Sequence, residues 1–349
     1  MRDFSSKLIQ WYEKNKRDLP WRHTTDPYQI WLSEIILQQT RVDQGLSYFE
    51  KFVKNFPTVQ HLAKAPEEKV MKLWQGLGYY SRARNLHQTA KIIVKEKKGK
   101  FPDTYNDIIQ LKGIGSYTAA AIASFSFNEA KAVVDGNVYR VLSRIFGIVT
   151  PIDGTQGKKD FLELADSLLN NKKAAQHNQA IMELGAIQCV SRNPNCNVCP
   201  FQHQCHAFKN NQQHSFPQKS KTTKVSNRYF EYFIFTYKNT TYIKQRTAND
   251  IWKNLFEFYL VETDKALNEE KVLQNKELKA LLKKTNYTIQ SISKTYKHVL
   301  SHRHIYARFW ELSLTSKLSS ESNYLQVNIH QLQKYAWPRL IDKYMKDKT

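Results

Sequence analysis

Residues 111–123 read Leu-Lys-Gly-Ile-Gly-Ser-Tyr-Thr-Ala-Ala-Ala-Ile-Ala, a Gly-x-Gly turn set between an acidic-capped helix expected over 103–111 and an Ala-rich helical run. Gly113 and Gly115 allow positive φ and a close approach of backbone to a ligand, while the next helix offers free N–H groups at its start. A dinucleotide-binding turn would follow a strand and carry a third glycine. Here the upstream segment is helical, and Ser116, Tyr117 and Thr118 come next. A helix–hairpin–helix that grips a DNA phosphate through backbone N–H groups and a helix dipole fits better. A tight turn without a ligand is the alternative that this stretch leaves open.

The hairpin lies inside a helical half. Apolar residues recur at three- and four-residue steps over 4–16, 28–43, 67–75, 81–96, 116–126, 137–146, 158–170 and 174–187, with Pro or Gly between them. The pattern changes over 209–227, which is polar, Lys-rich and aperiodic and reads as a linker. Beyond it, RYFEYFIFTYKNTTYIKQR (228–246) alternates aromatic and β-branched residues around Lys238-Asn239, a β-hairpin pattern. The expected domains are therefore an all-α unit over 1–208, the linker over 209–227 and a mixed α+β unit over 228–349.

Composition narrows the partner. The 349 residues carry a formal charge of +22, which points to a polyanion. No stretch approaches 18 consecutive apolar residues, and the basic residues are dispersed, so a membrane surface fits less well than nucleic acid. The 19 Tyr, 18 Phe and 7 Trp supply stacking candidates, most of them core residues. The N-terminus lacks an apolar signal core, which leads to the expectation of a cytoplasmic protein with reduced thiols.

All four cysteines, Cys189, Cys196, Cys199 and Cys205, fall in one 17-residue stretch as C-x6-C-x2-C-x5-C. Disulfides need an oxidising compartment. Structural zinc usually shows two close Cys pairs, and only Cys196 and Cys199 form one. An iron–sulfur cluster wrapped by one compact loop suits the spacing best, with Pro200 after Cys199 as in many such loops. On spacing alone, zinc stays a rival.

Two acids stand out as candidates for chemistry. Glu34 sits in the mostly apolar run WLSEIILQQT, where burial would raise its carboxyl pKa and suit it to act as a general acid. Asp135, in VVDGNV, can cap the helix that starts near Asn137, and local sequence weighs capping equally with catalysis. Carboxylates on either side of a glycosidic bond would divide the labour between protonating the leaving group and stabilising an oxocarbenium-like sugar.

The helical half resembles the adenine DNA glycosylases of the MutY family, within the helix–hairpin–helix glycosylase superfamily. The resemblance runs through Leu19-Pro20-Trp21-Arg22, Trp31-Leu32-Ser33-Glu34, Leu37-Gln38-Gln39-Thr40-Arg41-Val42 and the run from Trp74 to Arg84. It continues through the hairpin, Val134-Asp135-Gly136-Asn137-Val138, Asn178-Gln179-Ala180, Glu183-Leu184-Gly185 and the four cysteines. It implies removal of adenine opposite 8-oxoguanine, or opposite G, in double-stranded DNA by a monomeric, nucleoid-associated enzyme with a [4Fe-4S] cluster on Cys189, Cys196, Cys199 and Cys205. It implies that Glu34 protonates adenine, that Asp135 stabilises the sugar cation and that Tyr117 and Asn137 support it. Trp21, Arg22 and Gln179 would line the adenine pocket, Gln39 and Tyr79 would enter the base stack, and Gly113 and Gly115 would hold phosphate. Strand-cleaving relatives carry a Lys just after the hairpin where this chain has Tyr117, so the resemblance implies a monofunctional enzyme. Lys112 stands where the family has Pro, on the other side of the turn.

The second domain resembles the family's Nudix-like lesion-recognition domain more loosely, through 243–246, Ile251-Trp252 and Leu255-Phe256-Glu257-Phe258, with Tyr259 in place of a common Pro. The Glu-rich metal box of Nudix hydrolases is not found, so pyrophosphate hydrolysis is not expected. Ser301 and His302 match a loop that probes 8-oxoguanine, and Leu300 stands where Phe is frequent. Two alternatives accompany this reading: a thymine/guanine mismatch glycosylase, and a catalytically silent iron–sulfur DNA-binding protein. The lesion-reading domain speaks against the first, and the joint presence of Glu34, Tyr117, Asp135 and Asn137 speaks against the second.

Overall fold

A computed structural model describes residues 3–220, 225–300, 302–318 and 323–348. Contacts divide the chain into two compact units, Met1–Lys64 with Asn85–Thr222, and Ala65–Arg84 with Thr223–Thr349. The first unit is helical and the second α+β, as the periodicities predict.

In the first unit the helices are α1 (Phe4–Asn15), α2 (Pro27–Leu37), α3 (Val42–Asn55) and α4 (Val59–Lys64). The second unit takes α5 (Glu67–Trp74) and the start of α6 (Ser81–Glu96). The first then resumes with α7 (Tyr105–Ile108), α8 (Ser116–Phe127), α9 (Gly136–Phe146), α10 (Thr155–Leu168), α11 (Ala174–Glu183) and α12 (His206–Lys209). The single helix expected over 28–43 is broken: α2 stops at Leu37, Gln39 takes φ 54° and α3 begins at Val42. No Gly or Pro marks that break. The short helix before the hairpin is capped by Thr104, whose Oγ1 accepts from Asp107 N at 3.2 Å.

Helices α2 and α8 pack on each other. Residues Ala119–Ala123 of α8 and nearly all of α2 are buried, because small side chains on one helix let the other approach closely. A second cluster joins Leu8 and Tyr12 of α1, Val138, Val141 and Leu142 of α9 and Ile181 of α11 to Phe201 of the cysteine loop. Phe201 stacks on Phe4 at 4.6 Å between ring centroids. Asn178 ties this layer together: its Nδ2 donates to Ser124 Oγ and Lys131 O at 2.9 and 2.8 Å, and its Oδ1 accepts from Val133 N at 3.0 Å.

The second unit holds a sheet of β1 (Ser226–Tyr237), β2 (Thr240–Gln245), β3 (Phe256–Glu257), β4 (Tyr259–Thr263), β5 (Tyr287–Ile292), β6 (Tyr296–Leu300), β7 (Arg303–Leu314) and β8 (Leu325–Asn328). Helices α13 (Glu269–Leu273), α14 (Lys276–Leu282) and α15 (Arg339–Lys348) accompany it. The expected hairpin is present, with Tyr237 opposite Thr240 and Lys238 at φ 52° in the two-residue turn. Central strands β1 and β7 run parallel, from Ser226 against Arg303 to Thr236 against Ser313. Both are rich in buried aromatics, as expected for strands covered on both faces. Tyr259, the departure from Pro, is buried in β4.

Two boundaries differ from the sequence reading. The stretch 65–84 groups with the C-terminal residues, because Tyr80 Oη donates to Trp337 O at 3.2 Å and Arg84 Nη1 to Lys253 O at 2.7 Å. Part of the expected linker is bound to the first unit, with Ile152 N donating to Gln218 O at 3.0 Å and Ser220 N to Asp153 Oδ1 at 2.9 Å. A polar composition hid these specific hydrogen bonds. Among the described residues, no helix is long and apolar enough to cross a membrane.

Candidate active site

A cavity of about 330 Å³ opens in the helical unit, lined by Glu34 and Tyr117 together with Asp135, Asn137 and Arg17, Leu19, Trp21 and Arg22 of the 17–22 segment. Glu34 comes from the middle of α2 and is 6 % exposed. Tyr117, in the first turn of α8 directly after the hairpin, donates its hydroxyl to Glu34 Oε2 at 2.7 Å. Burial pushes the Glu34 carboxyl up to about 7, the Tyr117 hydrogen bond opposes this, and the Asp135 charge adds to the rise. Burial, followed by both carboxylates, raises Tyr117 itself, so its hydroxyl remains a donor.

Asp135 caps α9, as one local reading of VVDGNV has it, and also lines the cavity. Its Oδ1 accepts from Asn137 N and Val138 N, both at 2.8 Å, and its Oδ2 accepts from Asn137 Nδ2 at 2.8 Å. Burial raises its pKa, while these three donors and nearby Arg140 favour the anion. Arg140 Nη2 in turn donates to Asn137 Oδ1 at 2.8 Å and to Gly185 O at 2.6 Å, and its Nε donates to Cys189 O at 2.7 Å. Gly185 is required here: a Cβ on it would lie 2.6 Å from Asn137 Cβ. Burial raises both carboxyls in this cavity, and they differ in their partners. Glu34 accepts from one donor, Tyr117, whereas Asp135 meets three donors and lies near Arg140.

Trp21, Arg22 and Gln179 line the same cavity, and so does Gln39, which the sequence reading gave to the base stack. Gln179 Oε1 accepts from Tyr12 Oη at 2.7 Å, and the Trp21 ring meets Phe49 edge-on at 5.2 Å. Glu183 and Arg17 also line it, and the sequence reading gave neither a role. Glu183 is 1 % exposed and accepts from Arg17 Nη2 and Arg22 Nη2, both at 2.7 Å. Burial alone would raise its carboxyl, but the hydrogen bonds from Arg17 and Arg22 prevail and hold it at about 2. The reasoning that singled out Glu34 would not have found Glu183, whose helix AAQHNQAIME is half polar.

Only one hairpin glycine has the expected positive φ. Gly113 is at 75°, whereas Gly115 is an extended N-cap of α8 at φ −93°. A Cβ on Gly115 would meet nothing within 4 Å, so the backbone there is open to a ligand. Lys112 is exposed and its carbonyl accepts from Thr89 Oγ1 at 2.5 Å. Tyr79 belongs to the second unit, is 43 % exposed and has φ 45°. His302 is exposed and its carbonyl accepts from Ser226 N at 3.1 Å, with Leu300 half-buried at the end of β6. Ser301 lies outside the described residues.

Helix α11 runs on into a π-type turn, Leu184–Gln188, that delivers Cys189. Cys189, Cys196, Cys199 and Cys205 are free thiols that line one small cavity with Ile145, Leu184 and Phe208 and with no carboxylate or imidazole. Burial, then the neighbouring Cys189, Cys205 and Cys196, push the Cys199 thiol up to about 11. Arg144 also lines this cavity and its Nη1 donates to Cys189 Sγ at 3.4 Å, and the all-sulfur donor set fits an iron–sulfur cluster. Among the described residues, no three Cys, His, Asp or Glu side chains close on a single metal ion.

The Glu34 carboxyl also enters stability. Its folded pKa near 7 lies above the ordinary 4.5, so the folded state holds the proton more tightly. Stability is then complete below pH 4.5 and falls as pH rises through 7, by roughly 3 kcal/mol. Glu34→Gln, which cannot ionise, is expected to raise the melting temperature, with a gain over wild type that grows between pH 5 and pH 8. Thermal melts across that range check it, and a pH-independent difference would contradict it.

Comparisons with known proteins bear on the family. Residues 32–166 match the family described as HhH-GPD superfamily base excision DNA repair protein, and residues 231–347 match the NUDIX domain. The adenine DNA glycosylase of Buchnera aphidicola subsp. Baizongia pistaciae is 34 % identical over 325 residues, covering 92 % of this chain and 88 % of its own length. That of Buchnera aphidicola subsp. Acyrthosiphon pisum is 38 % identical over 256 residues, 73 % of each chain. Among solved structures, a thermostable thymine-DNA glycosylase superposes with TM-score 0.56 at 30 % identity, covering 60 % of this chain and 96 % of its own. An endonuclease III–DNA covalent intermediate, at TM-score 0.53 and 18 % identity over 60 % of this chain and 96 % of its own, shares the fold. With a helical unit built around Glu34, Tyr117 and Asp135 and a Nudix unit after it, this chain belongs to the adenine DNA glycosylase family.

Proposed function

We propose that the chain hydrolyses the N-glycosidic bond of adenine paired with 8-oxoguanine, or with G, in duplex DNA. The observation that carries this is the pairing of a carboxyl raised to about 7 with a second, three-donor carboxylate in one cavity. The extruded adenine enters the cavity between Trp21, Arg22 and Gln179. Protonated Glu34 gives its proton to adenine N7, and the C1′–N9 bond breaks with its electron pair leaving on the base. Ionised Asp135, held by Asn137 and Val138, stabilises the cationic sugar. Water adds at C1′ and its proton returns to Glu34.

Tyr117, hydrogen-bonded to Glu34, occupies the position where strand-cleaving relatives place their Lys, which favours a monofunctional enzyme. Gly113 and Gly115 hold a phosphate, Gln39 and Tyr79 enter the base stack, and Ser301 with His302 reads the opposite base. In this reading 1–208 is the catalytic domain and 228–349 the lesion-reading domain of a cytoplasmic, nucleoid-associated monomer. Cys189, Cys196, Cys199 and Cys205 would hold a [4Fe-4S] cluster, which would stabilise their loop and help it dock on DNA. The α1, α9 and α11 side chains packed against that loop support this structural part.

Single-turnover assays on duplexes with A opposite 8-oxoguanine, A opposite G, and T opposite G test the substrate. Adenine release is expected from the first two, falling as pH rises above about 7, and Glu34→Gln should slow it by roughly 100-fold or more. Reaction of the T opposite G duplex alone would overturn the substrate, and an equally fast Glu34→Gln variant would overturn the acid. Protein purified without oxygen should be brown with about four irons per chain. Stoichiometric zinc without iron would refute the cluster.

A further inference from the structure

The turn that bears Tyr79 is held by the C-terminal residues of its own unit. Gly76, Gly78 and Tyr79 have φ of 104°, 74° and 45°, and the last is uncommon for a residue with a Cβ. Local bonds shape part of this turn. Trp74 Nε1 donates to Gly78 O at 3.0 Å, and Arg82 Nη2 donates to Gly78 O at 3.2 Å while its guanidinium lies 5.9 Å from the Tyr79 ring.

The rest comes from residues 335–342. Tyr80 Oη accepts from Gly76 N at 3.4 Å and donates to Trp337 O at 3.2 Å, joining the strained turn to the C-terminal segment. Gln75 Nε2 donates to Asp342 Oδ1 at 2.8 Å, and its Oε1 accepts from Lys72 Nζ at 3.1 Å and Trp337 N at 3.4 Å. Lys72 Nζ also donates to Tyr335 O at 3.0 Å. Trp74, Tyr80 and Trp337 are buried, whereas Tyr79 remains 43 % exposed. A rigid, bonded base thus presents one exposed aromatic ring on a backbone that its surroundings over-determine.

We propose that Gln75 and Tyr80, together with Trp337 and Asp342, are positioning residues that hold Tyr79 in the conformation in which it enters the base stack. The C-terminal unit then contributes to base extrusion as well as to reading the opposite base. This rests on the role given to Tyr79 above. None of these residues lines the Glu34 cavity.

The test uses the full chain and a duplex with 2-aminopurine beside the target, whose fluorescence rises on unstacking and does not depend on adenine release. Tyr79→Ala, Tyr80→Phe and the double variant are compared for that signal and for melting temperature, with Asp342→Ala replacing Tyr80→Phe should the latter fail to fold. Tyr80→Phe is expected to lower the unstacked fraction about three- to tenfold, the scale of one or two lost hydrogen bonds, with little change in melting temperature. The double variant should fall no further than Tyr79→Ala. Losses that add in the double variant, or an unaffected Tyr80→Phe, would overturn the positioning role while leaving Tyr79 its place. Full unstacking by Tyr79→Ala would overturn both.

Discussion

The hydrogen bond from Tyr117 to Glu34, buried between α2 and α8, is the interaction on which the site depends. Residues 83 apart in sequence meet at 2.7 Å because the Ala-rich face of α8 admits α2 at close range. In water a carboxyl and a phenol would gain little from each other. Here the same burial that makes a carboxylate costly favours the protonated form of Glu34 near neutral pH, and the phenol donates to its Oε2.

Burial raises the Asp135 pKa too, and a small number of groups partly offset it. Two backbone N–H donors at the start of α9 and the Asn137 amide favour its anion against the cost of burial. Arg140 keeps Asn137 in place and bonds to carbonyls of Gly185 and Cys189, so the cysteine loop and the acid share a supporting side chain. Glu183, also in the cavity lining, pairs with both Arg17 and Arg22, two ion pairs that orient the Arg22 guanidinium. Such pairs add little net stability, but they hold orientation.

Much of this was legible in the chain. The Gly113 turn, most of the helical periodicities, the Lys238-Asn239 hairpin and the clustered cysteines rest on local chemistry, and these are found where local chemistry puts them. Glu34 was legible as an acid in an apolar run. What sequence could not convey were contacts across distance: Glu34 with Tyr117, Glu183 with Arg17, and the 65–84 stretch with Trp337. The break at Gln39 was missed because a glutamine at positive φ leaves no composition signal, and α3 was missed with it. Gly115 was expected to bend and instead caps α8 in extended geometry, since the turn needs only Gly113. The comparisons with known proteins carry the family; the proposed division of labour between the two acids rests on their surroundings.

That division is best tested by titrating Glu34 directly, with carbon-13 NMR of the side-chain carboxyl in glutamate-labelled protein, assigned through Glu34→Gln. The account predicts a midpoint near 7 that moves down in Asp135→Asn, where one source of the rise is removed. A midpoint near 4.5, unmoved by Asp135→Asn, would mean that Glu34 is ionised at neutral pH and cannot be the proton donor.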